Sequence, residues 1–368
     1  MDSYVNVDEN TFYKAATDLS KLSFDNIWKT AFTTYRYKDS PLFCAYTGTL
    51  QRWADLRPFY GLLFQKLNVA LCGSFIPGVL YLLCQRVSNT DRRTAFKASI
   101  GYALLSFVFF YSLGMMRDIH IALIYAIGLY IITGNNYSFK NYLALILLGA
   151  AAYFIRIENG LFFVVFLGAW ILQSESRYKP FAYLFSALIL LLFFFVIGGV
   201  GTLLGTASET VDVYSTRGIA IADKNSLGVM LDKLPIPLNY ISKTVFGQIS
   251  PFPFWLHLSE GRNWVEKLFY LPQSVASLFW CLVWYRILTH LRELKPFWSK
   301  YKWVIVLVIV YIVAVSAGQA LPRRLQAVYP MVFMAYIFIN KKLFIRKEVL
   351  NTFLIYSLLL LIYGLLKL

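Results

Sequence analysis

The sequence predicts an all-α, polytopic integral membrane protein with about ten transmembrane helices and two large external loops. Of its 368 residues, 58% are hydrophobic and only 15% are charged, whereas soluble domains are about 45–50% apolar and about 25% charged. Its apolar residues form continuous runs close to the roughly 20 residues that a helix needs to cross a bilayer. A β-barrel would show short alternating segments instead. Helices are expected because they satisfy every backbone amide within lipid.

The apolar runs mark the predicted spans. Their approximate bounds are 66–86, 95–114, 119–134, 140–155, 159–174, 181–205, 267–288, 302–318, 325–340 and 350–366. The fourth and fifth runs are short and close together, which predicts a hairpin joined around Arg156–Asn159. The spacing predicts a single membrane domain over 1–368. Its parts are an external N-terminal region at 1–60, a first helix group at 61–205, an external loop at 206–265 and a second helix group at 266–368.

Basic residues cluster in alternate loops, which is typical of the cytoplasmic side of a membrane protein. This distribution places 1–60 and 206–265 outside, and it accounts for the formal net charge of +16 without nucleic acid as a partner. Contact with anionic membrane lipids explains the same charges. The cytoplasmic set comprises Arg86, Arg92, Arg93, Lys97, Lys140, Arg177, Lys179, Arg286, Arg292, Lys295, Lys300, Lys302, Lys341, Lys342, Arg346 and Lys347.

The N-terminal region contains an amphipathic segment at 8–22 and lacks a signal peptide. Its apolar residues recur at helical spacing, which predicts a helix whose apolar face lies on the membrane surface. An external region of about sixty residues also needs a route across the membrane. We therefore expect a first span that is missing from this sequence or misassigned within it. The apolar face consists of Phe12, Ala15, Ala16, Leu19 and Leu22.

Charged residues near membrane depth are the most informative candidates for a functional site. Each costs about 2.5–3.5 kcal/mol at a helix centre, so such a residue usually faces a cavity or a partner. Four external groups meet this description. They are Asp8 with Glu9, Arg117 with Asp118, Arg156 with Glu158, and Arg323 with Arg324 followed by Tyr329.

Each group allows a functional and a structural interpretation. Asp8 and Glu9 could supply a general base to an acceptor hydroxyl or hold a divalent cation, or they could stabilise the start of a helix through its dipole. The arginines offer a planar fork that matches phosphate oxygens, or they could pair locally with carboxylates. Arg323 and Arg324 run against the positive-inside bias, which favours an anion-binding role for them.

Several chemistries find no signal in the sequence. The four cysteines and three histidines show no metal-ligand spacing, so no protein metal site is predicted and any cofactor stays unknown. A P-loop, a dinucleotide fingerprint and a serine nucleophile elbow are all missing from the sequence. An enzyme of this kind is therefore expected to receive its donor from within the bilayer.

The order of these pieces resembles the GT-C class of membrane glycosyltransferases, which use polyprenyl-phosphate-linked sugars. In that class an acidic residue lies in the first external loop ahead of a short surface helix, and Asp8-Glu9 precedes such a segment here. The likeness covers most of the chain through short motifs. Its further pieces are Asp39-Ser40-Pro41-Leu42-Phe43, the stretch from Leu67 to Cys84, Arg117-Asp118, Arg156 and Arg323–Pro330.

The resemblance implies an inverting sugar transfer at the external face. Asp8 would act as the catalytic base with Glu9 beside it, and Arg323 and Arg324 would contact the lipid phosphate. The implied partners are a lipid-linked sugar donor, a glycan or lipid acceptor, and membrane lipids. The expected location is a bacterial inner (cytoplasmic) membrane that the chain crosses many times.

Two other functions fit the same residues. A polysaccharide repeat-unit polymerase of the O-antigen or EpsG-like kind also combines about ten spans with a large external loop and basic residues that grip lipid-linked glycans. Arg117, Arg156, Arg323 and Arg324 suit it equally well. A non-enzymatic transporter or flippase would place ionisable groups at mid-bilayer, whereas the charges here lie near span ends.

Overall fold

A computed structural model describes residues 7–57, 60–134, 138–173, 231, 234–235, 238–255, 264–318 and 322–367. Every regular element in these ranges is helical, which confirms the all-α class. The predicted span at 181–205 and most of the predicted loop at 206–265 lie outside the described residues.

Most helices from α4 onward coincide with predicted apolar runs, and within the described ranges a 3-10 turn occupies Tyr35–Tyr37. In chain order they are α1 (Val7–Ser20), α2 (Phe24–Thr33), α3 (Pro41–Asp55), α4 (Gly61–Val87), α5 (Arg92–Leu105), α6 (Phe107–Ser112), α7 (Asp118–Ile132), α8 (Phe139–Ile155), α9 (Ile157–Gln173), α10 (Leu238–Gln248), α11 (Trp264–Thr289), α12 (Lys295–Gly318), α13 (Pro322–Leu325), α14 (Tyr329–Asn340) and α15 (Arg346–Lys367).

Helices α4, α11, α12 and α15 are long and apolar enough to cross a bilayer, and they are the four that qualify among the described residues. Helices α7, α8, α9 and α14 are shorter but apolar, and each coincides with a predicted run. These features are consistent with an integral membrane protein. The count of about ten spans stays a prediction.

One predicted span is interrupted. The apolar run at 95–114 is divided into α5 and α6 at Ser106, whose backbone is extended (φ −93°, ψ 172°). The Ser106 hydroxyl accepts a hydrogen bond from the amide of Val108 at 3.3 Å and so caps α6. A serine inside an apolar run offers its hydroxyl to the backbone, and this competes with helix continuation.

The chain forms two compact units, 1–165 and 166–368, with the boundary inside α9. In unit 1, α4 and α7 run in parallel. A Cβ placed on Gly73 would lie 3.7 Å from Ile119, and thirteen residues further along α4 the Arg86 guanidinium donates to the Tyr130 carbonyl at 2.5 Å. The N-terminal ends of α4 and α7 therefore lie toward the same end of unit 1.

Helices α8 and α9 form the predicted hairpin. Helix α8 ends at Ile155 and α9 begins at Ile157, so the extended residue Arg156 alone makes the corner. A Cβ on Gly160 would lie 2.4 Å from the Cα of Tyr153, so this tight corner depends on a glycine. The hairpin brings Arg156 to the end of unit 1 where α4 and α7 begin, which we call the α1 end.

The apolar face of α1 is buried by protein. Ala15 and Leu19 are 5% and 1% exposed and pack in one cluster with Ile27, Ala31 and Cys44. The residues of this face were predicted correctly. They pack against α2 and α3, so the prediction that this face contacts the membrane surface was wrong. Helices α2 and α3 themselves were not anticipated because residues 24–55 mix polar and apolar positions without long apolar runs.

Unit 2 contains a buried ion pair between the C-terminal end of α11 and the N-terminal end of α15. The side chain of Arg286 is 0% exposed, and its Nε donates to Oε2 of Glu348 at 2.6 Å. Its Nη1 also donates to the carbonyl of Lys342 at 2.6 Å. Arg286 was predicted as a loop charge that sets topology, but the structure shows that it joins α11, the end of α14 and α15.

Residues 249–254, which include Pro251 and Pro253, precede α11 in the chain and are largely buried in unit 2. The hydroxyl of Tyr356 on α15 accepts from the amide of Phe254 at 2.9 Å. Ser274 and Ser277 on α11 donate to the carbonyls of Phe254 and Ile249, both at 2.6 Å. A non-helical backbone is tolerated beside apolar helices when protein groups satisfy it in this way.

A methyl group added at Gly48 should push α1 and α3 apart and destabilise the protein. A Cβ on Gly48 would lie 2.8 Å from the Cβ of Leu19, which cannot rotate away. We expect Gly48→Ala to cost about 1–3 kcal/mol of stability, measured as a lower thermal unfolding midpoint of the purified protein. Gly78 on α4 is the matched control, since a Cβ there meets nothing within 4 Å. Equal midpoints for Gly48→Ala and Gly78→Ala would contradict the close approach.

Candidate functional site

Glu9 is the most deeply buried carboxylate of the predicted site. Its side chain is 0% exposed on the first turn of α1. Oε1 accepts a hydrogen bond from the amide of Met115 at 2.8 Å and lies 3.4 Å from the ammonium of Lys66. A buried carboxylate requires such partners because burying it without them is costly. Glu9 therefore fastens α1 to α4 and to the segment that precedes α7.

Asp8 lies beside Glu9 and is only half-buried. Because it occupies the preceding position of the same helix turn, its side chain leaves α1 about 100° away from that of Glu9. Both carboxylates lie at the helix N-terminus, where the dipole favours negative charge. Of the two, Asp8 is more open to a substrate.

Arg117 reaches the next turn of α1 from the start of α7. Its Cζ lies 5.4 Å from the ring centroid of Phe12, one turn after Glu9. Its Nη1 donates to the carbonyl of Asp39 at 3.0 Å and to the hydroxyl of Ser40. The guanidinium thus ties the segment before α3 to α7, and it remains partly exposed.

Asp118, Arg156 and Glu158 form one ion-paired group at the same end of unit 1. Nη1 of Arg156 donates to Oδ1 of Asp118 at 2.9 Å, and both side chains are less than 8% exposed. Nε of Arg156 lies 3.4 Å from Oε2 of Glu158, which is 44% exposed. These contacts correspond to local pairing, the structural alternative for this group. A phosphate contact by Arg156 stays a prediction.

A further set of polar side chains, missed in the sequence, lies next to these groups. The hydroxyl of Tyr46 donates to Oδ1 of Asn68 at 2.5 Å. The imidazole of His120 packs edge-on against the rings of Phe43 and Tyr46, with centroids 5.4 and 5.8 Å away. His120 interacts with the Met116 backbone, but neither ring nitrogen makes a hydrogen bond of normal geometry within the described residues.

A signal for some of these residues was present in the sequence. Lys66 and Asn68 stand at the start of an apolar run, where a charged or amide side chain requires a partner. His120 stands in the first turn of another apolar helix. Only Tyr46 lacked a signal, because nothing in the sequence distinguishes it from the other tyrosines of this aromatic-rich chain.

Arg323, Arg324 and Tyr329 lie in unit 2. Tyr329 is 1% exposed and stacks on Trp280 with ring centroids 3.7 Å apart. Its hydroxyl donates to Oε1 of Gln248 at 3.3 Å. Both arginines lie in the short helix α13 and are half-buried. The carbonyl of Arg324 accepts a hydrogen bond from the Tyr311 hydroxyl at 3.0 Å.

Unit 1 therefore brings together six of the nine predicted site residues. The groups that meet at the α1 end are Asp8, Glu9, Arg117, Asp118, Arg156 and Glu158. They come from segments that the charge pattern assigns to the external side. In unit 2, Tyr329 forms an aromatic and amide cluster with Trp280 and Gln248, whereas Arg323 and Arg324 lie on α13.

Neither metal binding nor a reactive thiol is supported by the described groups. No set of three or more His, Cys, Asp or Glu side chains in the described ranges is arranged to hold a metal ion. Burial raises the pKa of the Cys44 thiol on α3 to about 12 despite nearby Arg117. This thiol is therefore neutral at physiological pH and is a poor nucleophile.

Comparison with known proteins adds no family. No protein-family model matches the sequence, and no curated protein or solved structure is significantly similar to it.

The buried pair of Asp118 and Arg156 should stabilise unit 1 strongly. Removing one partner leaves an uncompensated buried charge, so Asp118→Asn or Arg156→Gln should each cost about 3–5 kcal/mol. The double variant should lose less than the sum, which a double-mutant cycle on unfolding midpoints measures.

Asp18 and Arg36 provide the matched control for this cycle. They form the same kind of pair at 3.0 Å, but their side chains are 42% and 59% exposed. Exposed pairs contribute about 0–1 kcal/mol. Equal losses from the buried and the exposed pair would contradict a structural role for Asp118 and Arg156.

Proposed function

We propose that this protein is a membrane glycosyltransferase that moves a sugar from a polyprenyl-phosphate-linked donor to an acceptor at the external face. The supporting observation is the meeting of an acidic helix turn with several cations at one end of unit 1. Asp8 and Glu9 lie there with Lys66 and Arg117. The site belongs to a chain with long apolar helices, as a lipid-borne donor requires.

The proposed reaction uses these groups as follows. Asp8 accepts the proton of an acceptor hydroxyl, and the resulting oxygen nucleophile attacks the anomeric carbon of the donor sugar. The bond between that carbon and the phosphate oxygen breaks, and the electron pair leaves with the lipid phosphate. Cations beside the leaving group stabilise its developing charge. Attack from the face opposite the phosphate inverts the anomeric configuration.

Glu9 takes a positioning role in this proposal. Its Oε1 is held by the Met115 amide and the Lys66 ammonium, so it fixes the turn that presents Asp8. Arg117, which packs on Phe12 one turn later and stays partly exposed, is the best-placed guanidinium in unit 1 to meet a phosphate.

The proposed setting is a bacterial inner membrane that the chain crosses about ten times, with the α1 end outside. Two facts support this orientation. Segments that the positive-inside rule assigns to the external side meet at the α1 end, through Glu9, Arg117 and Arg156. Arg86, assigned to the cytoplasmic side, contacts Tyr130 near the other end of α7.

The role of Asp8 can be tested by transfer assays in native membranes with a radiolabelled lipid-linked sugar. Because a general base contributes about 100- to 10,000-fold to rate, Asp8→Asn should lower transfer by that factor without lowering expression. Asp18→Asn on the same helix is the control, since Asp18 is exposed. Full transfer by Asp8→Asn would remove the proposed base. Products longer than one added sugar would instead identify a polymerase.

The orientation can be tested by labelling in intact cells. A cysteine placed at exposed Lys14 on α1 should react with a membrane-impermeant maleimide, whereas one at exposed Lys97 on α5 should react only after the cells are opened. The native cysteines of the described residues are buried or half-buried, which keeps the background low. The reverse pattern would place the acidic turn in the cytoplasm and refute an external reaction.

A further inference from the structure

Helix α2 has an apolar flank that the rest of unit 1 does not cover. Ile27 and Ala31 are 0% exposed and face the protein, whereas Phe24, Trp28 and Phe32 are 39%, 41% and 43% exposed. These three aromatic residues recur every four positions, so they form one row along the helix. The row lies next to the buried face, and the opposite face of α2 is polar.

The aromatic row continues onto a helix that carries an apolar outer surface. The rings of Trp28 and Phe32 stack with centroids 6.3 Å apart, and Phe32 meets the ring of Phe154 at 5.4 Å. Phe154 lies near the end of α8. On the same side of α8, Leu143 and Leu147 are 45% and 62% exposed. One apolar surface therefore runs from α8 onto α2.

Basic residues lie on α2 and in the chain segments on either side of it, and the Arg52 Cζ lies 5.3 Å from the ring centroid of Phe24. Between residues 18 and 38 the sequence holds four basic and two acidic side chains. Lys21 and Arg36 are 71% and 59% exposed although both contact Asp18, and Lys29 on α2 is also exposed. Aromatic residues flanked by cations are typical of a helix that lies at the boundary between headgroups and acyl chains.

We propose that α2 lies in the headgroup layer of the bilayer, with Phe24, Trp28 and Phe32 inserted among the acyl chains and the neighbouring cations at the lipid phosphates. Such helices sit about 5–10 Å deep in the boundary region. Continuity with the apolar surface of α8 favours lipid as the occupant, because α8 coincides with a predicted span and its exposed leucines would face acyl chains there. This inference does not depend on the proposed glycosyl transfer.

The polar face of α2 supplies a matched reference position. Asn26 is exposed like Trp28 and lies two residues away, on the side of the helix that should face water. A probe at either position is attached to the same helix. Only the environment of the side chain differs between them.

The test compares Trp28→Cys and Asn26→Cys in the full chain, each labelled with an environment-sensitive fluorophore and reconstituted in phospholipid nanodiscs that hold one copy. At position 28 we expect a blue-shifted emission that lipids with a nitroxide on the upper acyl chain quench and aqueous iodide does not. At position 26 we expect iodide to quench and the nitroxide lipids to have little effect.

Three outcomes would overturn the proposal. Equal quenching at both positions by iodide would place the aromatic row in water. Equal quenching at both positions by nitroxide lipids would show that the aromatic and the polar face of α2 meet the same environment. Protection of position 28 that appears only when a nanodisc holds two copies would show that a second copy covers the row.

Discussion

A charge inside an apolar protein must find a partner, and this constraint organises the end of unit 1. Arg156 is the corner of the α8–α9 hairpin, and its bond to Asp118 at 2.9 Å fixes that corner to the start of α7. The contact of Glu9 with Lys66 and with the Met115 amide then adds α1 and α4. Because each partner is costly to bury alone, these contacts select one arrangement of five helices.

The same physics explains why structural and functional interpretations of the charges coexist. Asp118, Arg156 and Glu9 are held by contacts within the protein, so they hold the site in place. Asp8 and Arg117 remain partly exposed beside them, which is where the proposed transfer would use a proton acceptor and a phosphate contact. A rigid inner set of charges that supports a more open outer set is the usual way to preorganise a reacting group.

Helices α1 and α2 illustrate how an amphipathic pattern underdetermines its partner. The apolar face of α1 was recognised from its spacing, yet Ala15 and Leu19 are covered by protein and not by lipid. On helix α2, by contrast, Trp28 stays exposed, and its ring stacks on Phe32, which contacts Phe154 of α8. Periodicity reports that a face is apolar, whereas only the packing of neighbouring helices shows what covers it.

The sequence by itself determined the helical class, the approximate place of the apolar helices and the hairpin at Arg156, because length and hydropathy follow from bilayer thickness and from backbone hydrogen bonding. It also identified Asp8, Glu9 and Arg117 as separate polar groups. The tertiary structure alone decided that Ser106 interrupts one apolar run, that Lys66 pairs with Glu9, and that Arg286 pairs with Glu348. The two ion pairs join residues 57 and 62 positions apart, and the interruption at Ser106 depends on local capping geometry. Hydropathy encodes neither.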